Sequence, residues 1–200
     1  STPTSSAVFR RFRVPLVVFL TGACSLVVEI AAMRILAPYF GNAIFTTSSV
    51  ISVVLGALSL GYFFGGKLSE KARGEQLFYL VIALAGIATV VIKVFGGLLL
   101  PVFGYKLGVV WGPLIFSLLL FFVPSVLLGA VSPLGIKLHG AVNPKKGPGA
   151  VAGDIFFWST AGSIAGSLLA GFVLIPVWGG GRIILFTGVG LLMLGVTALG

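Results

Sequence analysis

An acidic and a basic side chain lie inside the first long apolar run of this sequence. Glu29 and Arg34 interrupt a stretch of Leu, Val, Ile, Ala and Phe over 14–36. At about 1.5 Å per residue, such a run crosses a hydrocarbon core of roughly 30 Å. An ionised group near the bilayer centre costs at least about 2.5 kcal/mol, so both side chains need partners or water. Two interpretations of Glu29 stay open: it binds a cation or carries a proton, or it forms an internal pair with Arg34, Lys93 or a helix-end carbonyl.

Two other polar residues lie near the start of a later apolar run. We expect Asp154 in the first turn of a helix, where the positive end of the helix dipole favours a carboxylate, with ion or proton binding as the alternative. Ser159 either lines a polar track or bonds to a carbonyl of its own helix. The sequence therefore offers four candidate substrate-binding residues, Glu29, Arg34, Asp154 and Ser159.

The residues needed for common enzymatic sites are scarce. His139 is the only histidine and Cys24 the only cysteine. They cannot supply a histidine-based triad or a metal cluster within these residues, and we expect His139 on the surface. The glycines at 65–69 and 188–195 lack the spacing and context of phosphate-binding or dinucleotide-binding loops. The sequence thus predicts no catalytic residue, no metal and no cofactor.

The composition is that of a membrane protein that crosses the bilayer several times. Of its 200 residues, 58% are hydrophobic and only 8% are charged, which excludes an ordinary soluble domain and a disordered chain. The net charge of +9 comes from basic residues scattered at the ends of apolar runs. Because they form no single basic patch, we expect the lipid bilayer as a partner and no nucleic acid.

The apolar runs predict an all-α bundle with about six transmembrane spans. We expect a single transmembrane domain over 1–200 without a soluble domain. A polar connection over 132–149 has room for a short interfacial helix at 133–139. The predicted spans are 14–36, 48–66, 77–100, 109–131, 150–177 and 183–200.

The basic residues predict the orientation of these spans. Of the 13 Lys and Arg residues, nine fall on one side of the predicted bundle and four on the other. Positively charged loops stay in the cytoplasm, so we expect both termini there and the protein in the cytoplasmic (inner) membrane. The nine are residues 10, 11, 13, 67, 71, 73, 137, 145 and 146, and the four are residues 34, 93, 106 and 182.

Small residues recur at the spacing of helix-packing motifs. Gly61 and Gly65 lie four residues apart in the second predicted span, and Gly162 and Gly166 in the fifth. Such glycines let two helices approach closely. We expect these faces to pack within a homo-oligomer or a larger membrane complex.

Charged residues, prolines, glycines and hydroxyl residues recur along the chain in one pattern, which comprises Glu29, Arg34, Pro38, Gly41, Leu55, Gly61, Gly65, Gly66, Ser132, Pro133, Lys137, Leu138, Ser159, Thr160, Gly162, Ser163, Gly166, Gly171 and Pro176. This pattern resembles the membrane-embedded portion of spermidine synthase-like (polyamine aminopropyltransferase-like) membrane proteins. More distantly, the charged turn after the second span is similar to half of a major facilitator transporter, which implies a half-transporter layout.

The resemblance also implies what these 200 residues lack. The family's soluble catalytic domain, with its glycine-rich nucleotide site and acidic amine-binding residues, has no counterpart in the sequence. Asp154 stands where a basic or neutral residue is more usual. We therefore expect the chain not to be an enzyme.

Two functional hypotheses follow. The first is an integral membrane subunit or anchor, which packs through its glycine faces and holds a soluble cytoplasmic partner. The second is a small dimeric transporter of an organic cation such as a polyamine, with Glu29 as the cation-binding or proton-coupling group. The first ranks higher because the apolar runs contain few polar residues for a transport path.

Overall fold

The computed structural model describes residues 5–71 and 75–197, and the side chains of 12–70 and 75–197. The predicted cytoplasmic charges at 10, 11, 71 and 73 and the last three residues of the sixth predicted span lie outside what it describes. The described ranges contain helices and turns but no strand. The helices are α1 (Ser5–Phe40), α2 (Ile44–Lys71), α3 (Gln76–Phe103), α4 (Trp111–Val142), α5 (Pro148–Leu169), α6 (Ile175–Trp178) and α7 (Gly180–Val196).

Two short segments of other helix types complete the path. A 3₁₀ turn, Gly104–Lys106, follows α3, and a π-helical segment, Ala170–Leu174, joins α5 to α6. The π segment and α6 extend α5 to Trp178, so all three count as one crossing.

Five crossings in the described ranges are long and apolar enough to span a membrane. They are Phe12–Phe40, Ile44–Glu70, Gln76–Lys106, Trp111–Val142 and Pro148–Trp178, and the shorter apolar helix Gly180–Val196 follows them. The prediction of an all-α membrane bundle is thereby confirmed.

The fourth helix is longer than predicted. It continues through Pro133 to Val142, so the expected polar connection over 132–149 is wrong and only 143–147 connect α4 to α5. Pro133 removes one backbone hydrogen bond from the helix. Buried packing keeps the helix intact there, since Leu134 is 3% exposed and an added Cβ on Gly135 would meet Val18 at 3.0 Å.

Helices α2 and α4 run parallel and in close contact. An added Cβ on Gly61 would overlap the carbonyl oxygen of Val126, and one on Gly65 would lie 2.7 Å from the Cα of Ala130. Steps of four residues on both helices keep the backbones in contact. These glycines therefore join two helices of the same chain.

Helices α1 and α5 form a second parallel pair of the same kind. An added Cβ on Gly162 would overlap the carbonyl oxygen of Phe19, and one on Gly166 would overlap that of Ala23. Ser163 donates a hydrogen bond from its hydroxyl to the carbonyl of Gly22 at 3.1 Å. All four glycines expected at helix contacts lie at contacts inside the chain.

The starts of α1 and α3 and the ends of α2, α4 and α7 meet at one end of the bundle, which we call the basic end. The guanidinium of Arg13 lies 5.0 Å from the ring centroid of Tyr79, and an added Cβ on Gly195 would lie 2.7 Å from the Tyr79 carbonyl oxygen. Lys137 donates a hydrogen bond to the carbonyl of Ser69. Both ends of the described chain therefore lie at the basic end.

The opposite end gathers the end of α1 and the starts of α4 and α7. The ring of Phe40 fills the space beside Gly112, and the ring of Tyr39 lies against Gly104. Gly180 at the start of α7 packs near Ile35. Apolar clusters occupy the interior towards each end, one around Phe78 and Tyr79 and the other around Phe40 and Phe116.

Candidate functional site

Four polar side chains form a cluster at the basic end, between α4 and α5. Nε2 of His139 lies 3.2 Å from Oδ2 of Asp154, and Lys146 donates a hydrogen bond to the same oxygen. Asn143 donates from Nδ2 to the carbonyl of His139 at 2.9 Å, and this nitrogen lies 3.4 Å from Nδ1 of the ring. One carboxylate thus holds a histidine and a lysine together.

The local sequence explains this geometry. His139 and Asn143 are four residues apart and share one face of the last turns of α4. Asn143 ends the helix, with its own N–H bonded to the carbonyl of Gly140. Pro148 occupies the first turn of α5, where its missing N–H needs no helical partner. The short turn brings Asp154 back beside His139.

This cluster corrects two expectations. His139 was expected on the surface, but only 5% of it is exposed. Asp154 was expected in the first turn of α5, yet that helix begins at Pro148 and Asp154 is its seventh residue. The side chains of His139 and Lys146 hold this carboxylate, in place of the helix dipole that the sequence suggested.

One signal for the cluster is present in the sequence. The spacing of His139 and Asn143 places both on one face of a helix, but the signal is readable only once 132–142 is known to be helical. The connection of 143–147 then sets the approach of α5, which a single sequence does not reveal. The contact between His139 and Asp154 therefore joins the end of α4 to α5.

A second polar group at the same end ties α1 to α3. Arg13 lies 3.4 Å from a carboxylate oxygen of Glu75 and stacks on Tyr79. Both members of this ion pair are more than a third exposed, so its contribution to stability is within about 1 kcal/mol. The basic end is therefore held together by polar contacts on five helices.

Glu29 lies in the middle of α1 and is half-buried. It has neither a hydrogen bond nor an ion pair to any side chain in the described part of the chain. The internal pairs that the sequence allows for it, with Arg34, with Lys93 or with a helix-end carbonyl, do not form there. Placing an unpaired acid inside a membrane helix costs free energy, so such a residue is a candidate for a functional role.

The four predicted substrate-binding residues do not come together. Ser159 is half-buried, and its carbonyl packs against Gly22 of α1, level with neither Glu29 nor Arg34. Arg34 is exposed towards the opposite end. At 1.5 Å per residue along α5 and α1, Asp154 and Arg34 lie roughly 25 Å apart along the bundle axis. The structure thus separates a polar cluster at the basic end from a lone acid near mid-helix.

Comparison with known proteins finds two similar enzymes of Streptomyces coelicolor. Polyamine aminopropyltransferase 2 is 30% identical to this chain over 174 residues, and polyamine aminopropyltransferase 1 is 31% identical over 173. Each alignment covers 84% of this chain but only 30% of the relative. The resemblance to polyamine aminopropyltransferases is confirmed at this level, and the chain spans less than a third of the relatives' length.

Other comparisons are negative. No family model matches the chain, and no solved structure matches it. The likeness to half of a major facilitator transporter therefore has no support.

The comparison also corrects an expectation about enzymatic activity. The chain was expected not to be an enzyme, but both similar proteins are named as aminopropyltransferases. That expectation was wrong because it treated the missing catalytic domain as decisive, whereas the 200 residues correspond to only a part of each relative.

Proposed function

We propose that this chain is a membrane anchor of the polyamine aminopropyltransferase type, which holds an aminopropyltransferase unit beside the membrane. The unit belongs to the same or to another polypeptide chain. The observation that carries the proposal is the alignment of 84% of a helical membrane bundle with 30% of two such enzymes.

The distribution of charge supports a position for that unit. The sequence assigns nine basic residues to one side of the bundle. Those whose side chains are described lie at the basic end or on helix turns that lead to it. Positively charged connections remain in the cytoplasm, so we place the basic end there and the bundle in the cytoplasmic membrane. The exposed Lys67 and Lys145 then face the aqueous phase in which polyamines are found.

The proposal predicts that the enzymatic activity that transfers an aminopropyl group to a polyamine co-purifies with this chain. An affinity-tagged chain is expressed in its native cells, and its membranes are dissolved in mild detergent. We expect transfer activity to co-purify with the tag, because the anchor keeps the catalytic unit attached. The measurement is aminopropyl transfer to a labelled polyamine per mole of purified chain.

A tagged membrane protein without similarity to the chain serves as the control for adventitious capture. Transfer activity found wholly in the soluble fraction, with none on the purified chain, would count against the anchor. The bundle-disrupting variant Gly162→Leu should lose the activity from the membrane fraction together with the folded chain.

A second candidate function, transport of an organic cation such as a polyamine, rests on Glu29. This half-buried acid has no partner among the described residues, and a cation is the natural counter-ion for it. Transport through one such bundle requires a path between two copies, so this function predicts a dimer.

The variant Glu29→Gln separates the two functions. If the acid binds the transported cation, neutralising it should reduce uptake of labelled polyamine into proteoliposomes at least tenfold. Asp154→Asn is the matched control, because that carboxylate already pairs with Lys146 at the basic end. Equal uptake by the parent and Glu29→Gln removes Glu29 from any transport mechanism, and with it the observation on which this second function rests.

A further inference from the structure

An apolar groove lies between α1, the α5–α6 crossing and α7, towards the end opposite the basic end. Its volume is about 280 Å³, and Val27, Leu174 and Ile183 are among the side chains that line it. Pockets that enclose drug-sized ligands hold about 300–1,000 Å³, so this groove has room for a small ligand or for one segment of a larger molecule. It opens at the bundle surface, since Trp178 is 47% and Phe186 56% exposed.

Three cationic residues lie near the start of α7, at the edge of this groove that is farther from the basic end. Arg34 packs on Gly180, where an added Cβ would lie 3.3 Å from its Cβ. The ammonium of Lys93 lies 2.9 Å from the position of a Cβ on Gly181. Arg182 follows directly. The residues that carry three positive charges, from α1, α3 and α7, therefore lie beside one turn of helix, Gly180 to Arg182.

The spacing along the helices links these charges to the groove. Leu20 and Val27, which line it, precede Arg34 at steps of seven residues and share its face of α1. Arg182 is one turn before Phe186, another lining residue. Two arginines thus lie in register with the apolar wall, at the end farther from the basic end.

No acid with a described side chain balances these charges. None of the ion pairs in the described ranges includes Arg34, Lys93 or Arg182. Of the four acids in the sequence, Glu70, Glu75 and Asp154 lie at the basic end, and Glu29 forms no ion pair with a described residue. An anion is the complement that this end of the bundle lacks.

We propose that this groove is a binding site for an anionic phospholipid. Its acyl chain fills the apolar groove, and its phosphate group lies among Arg34, Lys93 and Arg182. An apolar wall with a cationic edge on the side farther from the basic end fits a molecule with one long chain and one anionic head. The inference concerns the end opposite the proposed transferase and stands independently of that function.

Fluorescence of Trp178 tests the site, because this side chain lines the groove. In the background Trp111→Phe/Trp158→Phe, Trp178 is the only tryptophan. Phosphatidylglycerol or phosphatidylcholine with brominated acyl chains is added to the protein in detergent. We expect phosphatidylglycerol to reach half-maximal quenching at about a tenfold lower mole fraction than phosphatidylcholine.

Two variants test separately where the lipid head group binds and where its acyl chain binds. The double variant Arg34→Gln/Arg182→Gln should lose the preference for phosphatidylglycerol, because it removes two of the three cationic side chains proposed to hold the phosphate. Gly190→Leu fills the groove and should weaken quenching by both lipids, since an added Cβ there meets nothing within 4 Å. Lys106→Gln is the matched control, a cation at the same end that lies over the Phe103 ring.

The outcomes are distinct. Quenching by both lipids at equal mole fractions in the parent protein overturns the proposal, as does a preference that survives loss of both arginines. Each variant is first checked for a single peak in size-exclusion chromatography. If the arginine pair fails that check, Gly190→Leu decides: unchanged quenching by phosphatidylglycerol in that variant also overturns the proposal.

Discussion

Replacing Gly162 with leucine is expected to lower the free energy of unfolding by about 3 kcal/mol, the upper range for overpacking a close helix contact. An added Cβ would overlap the carbonyl oxygen of Phe19 and would lie 2.9 Å from its Cα. These are backbone atoms, which cannot rotate away as a side chain can. Helices α1 and α5 must therefore separate. Unfolding by a denaturing detergent, followed by circular dichroism, measures the change.

Gly153→Leu provides the matched control on the same helix. Gly153 is exposed, and an added Cβ meets nothing within 4 Å. Leucine is the better helix former by about 1 kcal/mol, so this variant should unfold no more easily than the parent. If Gly162→Leu were as stable as Gly153→Leu, the close contact of α1 with α5 would be incorrect.

The same contacts show what the sequence could predict. A four-residue repeat of glycine in an apolar run indicates that another helix approaches there, and Gly61 and Gly162 each lie against the backbone of a neighbouring helix. The sequence could not name the partner helix. Each of these glycine faces packs against a helix of the same chain. The glycines that first suggested an oligomer therefore already have a packing partner within the chain.

The helix ends were harder to predict than the helices. Pro133 with the polar residues after it indicated a connection, because proline removes a helical hydrogen bond. Burial of Leu134 and Val131 against the neighbouring helices outweighs that loss, and α4 runs on to Val142. Tertiary packing of this kind is invisible in one sequence.

The candidate site could be predicted from the sequence even less completely than the helix ends. Composition could identify Glu29 as an intramembrane acid, and the structure leaves it without a partner in the described ranges. Composition could not reveal that His139 is buried or that Asp154 reaches it at 3.2 Å. Those two residues belong to different helices, and only the short turn between α4 and α5 brings them together.

Labelling of single cysteines with a membrane-impermeant maleimide tests the central claim, a bundle that spans the membrane with its basic end in the cytoplasm. Cys24→Ala removes the only native cysteine, and Lys145→Cys and Lys106→Cys then place one thiol at each end. Both positions are exposed. The effect is all-or-none, because a bilayer either shields a thiol or does not.

In intact cells we expect Lys106→Cys to be labelled and Lys145→Cys to be labelled only after the membrane is permeabilised. Labelling of Lys145→Cys in intact cells, with Lys106→Cys protected, would place the basic end outside and remove the proposed position of the transferase. Labelling of both positions in intact cells would contradict a membrane-spanning bundle altogether.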